Sequence, residues 1–373
     1  MPDPVLGVLT VYKNDQKFIE WEERQFFQKL TAAGCHLGLE VVVLTPEDVD
    51  YRKAEVHAQT FQPSKSKWIR KWIPLPPLIY DRFRYHAGGR VLQLRQFRQS
   101  FPDLIYLSRP LADKWTVYKK LYQNAEIRPH LPLTTTYTSK EDLFRTLKSS
   151  RVVYLKPIRG TGGRGIYKIE KFDRNRYILS ERDLQHRIVK PVKLTEGQIV
   201  SRLEKINISS NFVIQQGIDI HLNDKRVHDF RLLMQKNGEG KWEVTGCAGR
   251  IGPKGSITSN LHGGGKAVAL QELLNRRFND NAQVSSLRHQ MVRFSHQVVR
   301  DLEREFGRLC ELALDLAIDR EGKLWLFEVN SKPSREVFSR IGDRDTYWKA
   351  VRRPLEYALH LYEQESRLNN RMA

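Results

Sequence analysis

Short apolar runs at Val5–Tyr12, Leu39–Thr45, Leu78–Tyr80 and Leu104–Leu107 carry the pattern of buried strands, while Phe18–Ala33 repeats its apolar residues at helical spacing and ends at Gly34. Strands separated by helical stretches predict a small, mostly parallel α/β unit over residues 1–112. Asp113–Asn124 reads as a helix with Asp113 near its start, and 128-RPHLPLTTTYTS-139 as a Pro- and Thr-rich linker. Lys140–Lys148 adds a short helix, which completes a connecting region at 113–150. Strand signals at Val152–Leu155, Gly165–Ile169, Tyr177–Leu179 and Phe212–Gln216, with a helix at Glu196–Ile206, predict a small antiparallel α+β unit over 151–217. A third unit, 218–340, has strands at Asp229–Gln235, Trp242–Ile251, Leu312–Asp319 and Leu324–Val329 and helices near Lys266–Arg277 and Val284–Phe306. The tail, 341–373, reads as a basic helix over Asp345–Arg371.

Composition agrees with a globular chain of two or three domains: 373 residues, 40% hydrophobic and 10% aromatic. Cys35, Cys247 and Cys310 lie far apart and without metal-ligand spacing, which predicts reduced thiols. The start MPDPVLGVLT lacks a signal-peptide pattern, and no apolar run approaches the roughly 20 residues of a membrane span. The expectation is a soluble cytoplasmic protein. Its net charge of +20 implies attraction to polyanions without choosing among them. Between Tyr51 and Ser100, eleven Lys/Arg, including Arg82, Arg84 and Arg95, stand against two acids and are interleaved with Trp68, Trp72, Phe83, Tyr85 and Phe97. Such a mixture suits nucleic acid, but the charges follow no helical stripe, so a solvated basic surface over inward-packed aromatics is preferred.

Two stretches carry chemistry. In 151-RVVYLKPIRGTGGRGIYKIE-170 a four-glycine loop follows Lys156 between strand-forming runs. Glycines let backbone N–H groups approach an anion, and the cations neutralise it; an ordinary glycine-rich hairpin turn would look the same. In 312-LALDLAIDREGKLWLFEVNSKPS-334 two strands joined at Asp319–Gly322 bring Asp315, Glu328 and Asn330 toward one end of a hairpin. Two carboxylates and an amide carbonyl are hard oxygen ligands of the kind Mg²⁺ takes. Both faces of the second strand look buried, and a buried Glu needs a partner.

Taken in order, Lys114 in ADKWTVYKKL, Lys156 before GTGGRG, the VIQQGI strand, DFR, an Arg before SNLHGGG, and D…EVN resemble the ATP-grasp superfamily of ATP-dependent carboxylate ligases over residues 110–335. The segment 248-AGRIGPKGSITSNLHGGGKAV-268 is most similar to the ribosomal-protein glutamate ligase branch. With EVNSKPSRE and the basic front unit, the whole resembles the YheC/YheD family of endospore coat-associated proteins. The resemblance implies an ATP-grasp fold behind an N-terminal α/β domain. Lys114 and Lys156 would contact ATP phosphates, and Gly160, Thr161, Gly162, Gly163 and Gly165 would form the lid loop. Gln215, Gln216 and Ile218 would recognise adenine, with Asp219 or Asp224 for the ribose. Arg250 would stabilise the transferring phosphoryl group, Arg231 being a second candidate, and Asn260 would bind phosphate or cap the following helix. Asp315, Glu328 and Asn330 would hold Mg²⁺. Asp229 and Arg231, on one strand face, are also candidates for a structural salt bridge, and His262 for a base or a plain loop residue.

The implied activity is an ATP- and Mg²⁺-dependent carboxylate–amine ligase working through an acyl phosphate, with an acidic or amino-acid-like small molecule or peptide as substrate and spore coat proteins as candidate partners. The alternatives are an ATP-binding coat structural protein without turnover and, less favoured, a nucleic-acid binder.

Overall fold

In a computed structural model, residues 4–12, 23–84, 90–160 and 162–372 are described. The first unit runs β1 (Val5–Leu9), α1 (Arg24–His36), β2 (Glu40–Leu44), β3 (Val49–Asp50), β4 (Glu55–Gln62), β5 (Lys67–Pro74), β6 (Leu78–Asp81), α2 (Arg90–Ser100) and β7 (Ile105–Tyr106). β2, β1, β6 and β7 pair in parallel, as the alternation of strands and helices predicts. Both faces of this sheet are covered: Phe27 and Leu30 of α1 pack on one, Leu94 and Phe97 of α2 on the other. α1 continues past Gly34, which lies buried against Val41 of β2, and ends at His36. The first part of the expected Phe18–Ala33 helix, residues 18–22, and Tyr85 lie outside the described residues.

The basic stretch differs from expectation at two residues, Trp72 and Arg82. Its centre is a long antiparallel hairpin, β4 with β5, and β5 is exposed along much of its length. Phe83 and Phe97 are buried, as an inward-packed set requires, but Trp72 is 56% exposed and stacks on His57 at 4.9 Å. Arg82 is buried in ion pairs and is no part of a solvent-facing surface.

The middle unit follows α3 (Lys114–Gln123), whose first turn is capped by Asp113 accepting from the Thr116 N–H at 3.0 Å. It contains β8 (Thr134–Thr136), α4 (Lys140–Ser149), β9 (Val152–Pro157), β10 (Ile166–Asp173), β11 (Arg176–Arg182), β12 (Ile188–Thr195), α5 (Glu196–Lys205) and β13 (Phe212–Gln216). The strands form one six-stranded antiparallel sheet in the order β12-β11-β10-β9-β13-β8, with α4 and α5 packed on it through Leu143, Leu147, Ile199 and Leu203. Two strands were not expected. The threonines of the anticipated linker form β8 beside β13, and β12 carries Pro191 and three exposed-side polar positions that hide a strand signal, tolerable because it is the sheet edge.

The third unit has β14 (His228–Lys236), β15 (Trp242–Ile251), β16 (Lys266–Ala269), α6 (Leu270–Asn275), α7 (Asn281–Phe306), β17 (Glu311–Ile318) and β18 (Leu324–Asn330), followed by α8 (Glu336–Arg340) and α9 (Arg344–Met372). The sheet order is β16-β15-β14-β17-β18. The start of the helix expected at Lys266–Arg277 is strand β16, pairing with β15, so helix is confined to the short α6. α7 buries Val284, Leu287, Met291, Val298 and Leu302 against this sheet. α9 turns back to cover the first sheet through Val351, Leu355 and Leu361. Among the described residues no helix is long and apolar enough to cross a membrane.

Candidate functional site

A cleft lies between the middle sheet and the third. The end of β9 and its loop supply Tyr154, Lys156, Gly160 and Gly163; β13 and its exit supply Gln215, Gln216 and Ile218. The opposite wall comes from β14, β15, β17 and β18: Asp229, Arg250, Asp315, Phe327 and Glu328. Lys114, at the start of α3, and Asn260, in the loop after β15, complete the set. Residues dispersed over more than two hundred positions are therefore gathered by sheet pairing.

Register explains the acidic wall. Asp315 and Glu328 are direct cross-strand partners, and Asn330 sits opposite Ala313 two residues along, so all three share one end of the hairpin. On the other side, Arg231 of β14 opposes Asp315, and Asp229 opposes Arg250. The ion pairs follow that register. Arg250 donates to Asp229 through Nε at 2.7 Å and Nη2 at 2.5 Å and lies 3.1 Å from Asp315. Arg231 donates through Nη2 to Asp315 Oδ2 at 3.0 Å. Asp229 and Arg231 thus take cross-strand partners instead of pairing with one another. Burial alone would raise the Asp315 pKa, but Arg231 and Arg250 outweigh it and hold the carboxyl below its ordinary value. Arg250, also buried, is kept charged by Asp229 and Asp315.

Two atoms in this cluster are left without a hydrogen bond. Arg231 Nε lies 2.6 Å from Asp315 Oδ1 as an ion pair without the alignment of a hydrogen bond, so both are buried and unsatisfied as donor and acceptor. Asn330 Nδ2 is 3.5 Å from Asp315 Oδ2, and Glu328 meets Lys114 at 3.2 Å. An unsatisfied carboxylate oxygen, a half-buried second carboxylate and an amide fit a hard divalent cation. Among the described residues no group of three or more His, Cys, Asp or Glu is disposed to hold a metal, so a donor set in this cleft would be these two carboxylates with the amide.

Lys156 is half-buried, and its ammonium donates to Gln215 Oε1 at 2.5 Å and lies 5.5 Å from the ring centroids of both Tyr154 and Phe327. Loss of solvent lowers its pKa to about 8, with Glu328 opposing the shift. Gln215 Nε2 donates to Thr134 Oγ1 at 3.1 Å, and Gln216 Oε1 accepts from the Leu133 N–H at 3.2 Å. Both glutamine side chains are therefore engaged, and Ile218 lines the cleft beside them. Gly163 adopts φ +76°, and a Cβ there would come within 2.1 Å of Asn260 Nδ2, so a glycine is required where this loop meets the opposite wall.

Some expected residues stand elsewhere. Gly162, Gly165, Arg231 and Asn330 are not in the cleft lining, though Arg231 and Asn330 touch Asp315 behind it. Thr161 lies outside the described residues. Asn260 does not cap a helix with its side chain. Asp224 is tied into its own turn by Arg226, whereas Asp219 sits between the lining residues Ile218 and Ile220, and its charge reaches Tyr154. Tyr154, Phe327, Arg164, Thr258 and Ser259 line the cleft without having been singled out from sequence. Tyr154 had a signal, since it lies two residues before Lys156 on one strand face; Thr258 and Ser259 had none.

Comparison with known proteins agrees with this architecture. The chain is 26% identical to the endospore coat-associated protein YheD of Bacillus subtilis (strain 168) over 97% of its own length and 79% of that protein. It is 25% identical to the endospore coat-associated protein YheC of the same organism, over 92% of its length and 94% of that protein. Among solved structures, D-cycloserine synthetase DcsG matches with a TM-score of 0.55 at 12% identity, covering 94% of this chain and 99% of that one, a likeness of fold. Residues 104–361 match the model described as YheC/D like ATP-grasp, and the chain belongs to that ATP-grasp family.

Proposed function

We propose that this protein is a Mg²⁺- and ATP-dependent carboxylate–amine ligase that forms an acyl phosphate and passes the acyl group to an amine. The observation that carries this reading is the cleft itself, in which Lys156 lines one wall and Arg250, Asp315 and Glu328 the other, with a glycine loop beside them. A carboxylate is a poor acyl donor, and both it and ATP are anionic, so cations must hold them together. Lys114 and Lys156 bind triphosphate oxygens, and Arg250, fixed by Asp229, offers its guanidinium to the phosphoryl group in transit. Arg231 acts by orienting Asp315. Asp315, Glu328 and Asn330 would hold Mg²⁺, which would supply positive charge to the phosphates when bound. Adenine lies against the backbone of Gln215, Gln216 and Ile218, and Asp219 serves the ribose, because it adjoins the lining and Asp224 does not. Gly160, Gly162, Gly163, Gly165 and Asn260 close over the phosphates, with Thr161 in the same loop, and exclude water from the acyl phosphate. The front unit, 1–112, and the positive surroundings favour an acidic substrate. Association with a spore coat is proposed from the relatives' names alone.

The test is trapping with hydroxylamine in the presence of ATP, Mg²⁺ and a panel of amino acids and acidic peptides. Wild type is expected to yield hydroxamate and ADP above the Asp315→Ala and Glu328→Ala backgrounds. Nucleotide binding without ADP release would favour the second reading, a coat protein that retains the nucleotide site without turnover.

A further inference from the structure

Arg182, the last residue of β11, is fully buried, yet no carboxylate among the described residues is hydrogen-bonded to it. Its guanidinium crosses from the middle sheet to the loop after β15. There Nη1 donates to Ser256 Oγ at 2.6 Å and Thr258 Oγ1 at 2.8 Å, and Nη2 to the Gly263 carbonyl at 2.6 Å. Nε is buried without a partner. The neighbouring acid, Asp183, is engaged by Arg187 instead. Arg164, which lines the cleft, donates through Nε to His186 Nε2 at 2.9 Å, and burial together with the charges of Arg164 and Arg182 holds the His186 pKa below its ordinary value. The seat is built closely, since a Cβ on Gly263 would stand 1.3 Å from Arg182 Nη2.

A buried guanidinium whose hydrogen-bond acceptors are all neutral costs free energy, and burial holds the Arg182 pKa below its ordinary value, with the charge of Asp183 opposing. Thr258, which holds it, is also a wall of the cleft, so negative charge placed in the cleft would offset that cost. We propose that Arg182 is a positioning residue whose docking on Ser256, Thr258 and Gly263 couples closure of the middle unit to an anion in the cleft. The inference rests on the nucleotide-binding part of the proposed function. Adenosine, which is neutral, fills the adenine end without supporting closure, and magnesium-bound AMPPNP supports it.

Hydrogen exchange of the full chain tests this, with adenosine, Mg²⁺-AMPPNP or no ligand, read over residues 256–265. In wild type Mg²⁺-AMPPNP slows exchange there by about tenfold or more and adenosine does not. Arg182→Met removes the slowing while Mg²⁺-AMPPNP still binds; Arg182→Lys, which keeps the charge without the fork, retains part of it. Gly263→Ala, which wedges the same contact without altering charge, also removes it. Equal protection by adenosine, protection already complete without ligand, or full slowing in Arg182→Met overturns the inference and leaves the ligase reading intact. Failure of wild type to bind Mg²⁺-AMPPNP sinks both. If Arg182→Met does not fold, the Gly263→Ala and Arg182→Lys results decide.

Discussion

Two buried groups of arginines and acids lie in this molecule, and their difference separates structural charge from chemical charge. At the junction of the first and third units, Arg82 donates to Glu23 at 2.7 and 2.9 Å and to Glu311 at 2.9 Å. Arg335 donates to Glu311 at 2.5 Å, to the Tyr80 hydroxyl at 2.9 Å and to the Pro333 carbonyl at 2.9 Å, while Gln235 completes the coordination of Glu311. On the cleft wall, Arg231, Arg250, Asp229 and Asp315 also make two arginines and two acids, but Asp315 Oδ1 is unsatisfied and the group faces a cavity. Beside it, Lys156 has only a neutral hydrogen-bond acceptor, Gln215. The junction is closed, with its carboxylates answered from several sides. The cleft group is open on its cavity side.

The largest expected effects test that contrast directly. Glu311→Ala takes the carboxylate partner from buried Arg335 and one of two from buried Arg82, and should cost about 3–5 kcal/mol of stability in chemical denaturation. Asp315→Asn should leave stability much closer to wild type, because Arg250 keeps Asp229, yet lower ATP-dependent hydroxamate formation by about 100-fold or more. If Asp315→Asn unfolds the protein as readily as Glu311→Ala, both groups are structural and the contrast fails. Next in size is Arg250→Met, expected to lower kcat by about 10²–10³-fold with a smaller change in the KM for ATP, since its contact is strongest with the phosphoryl group in transit. A rise in KM alone would reduce Arg250 to ground-state binding.

A smaller effect sharpens the role of Lys156. Its pKa, lowered to about 8 by burial, means the lysine loses its charge as pH rises through 8. An anion stabilises the charged form, so binding should draw in a proton near that pH and weaken as pH rises. Affinity for Mg²⁺-AMPPNP should fall by about tenfold between pH 7 and pH 9 in wild type, with the slope missing in Lys156→Met. A wild-type slope equal to that of the variant would place the titrating group elsewhere.

How far these features were legible in the sequence depended on how local they were. β17 and β18 form a hairpin, so the pairing of Asp315 with Glu328 could be read from alternation across one turn. The arginine partners could not, because they depend on β14 lying between β15 and β17, a pairing no local pattern specifies. β5 and β12 were hidden by composition: lysines, an arginine and a proline on edge strands resemble a solvated surface or loop. Thr134–Thr136 looked like a linker because three threonines give strand propensity without an apolar face, and its strand state comes from β13 beside it. Arg182 carried no signal at all. In ERDLQHR it reads as one more surface charge, and only the seat at Ser256, Thr258 and Gly263 makes it a buried one.

The smallest effects should come from the basic hairpin, the region where charge is plentiful and burial is slight. Lys71 meets Glu40 at 2.7 Å with both side chains more than one-third exposed or nearly so, 43% and 35%, and such a pair contributes under about 1 kcal/mol. Lys71→Ala, or Trp72→Ala, which removes the exposed ring stacked on His57, should change neither hydroxamate yield nor denaturation midpoint measurably. The same variants address the nucleic-acid alternative. If β5 bound single-stranded nucleic acid, Trp72→Ala should cost about 1–3 kcal/mol of binding and Lys71→Ala should reduce the salt slope by about one. Because the cations of β5 stand largely exposed to solvent, the expected result is weak, salt-sensitive attraction that neither variant abolishes. A loss of tight binding in Trp72→Ala, with ligase chemistry intact, would show that exposed charge and stacking can carry function here without burial, and the contrast drawn from the two buried clusters would then describe only the nucleotide end of the protein.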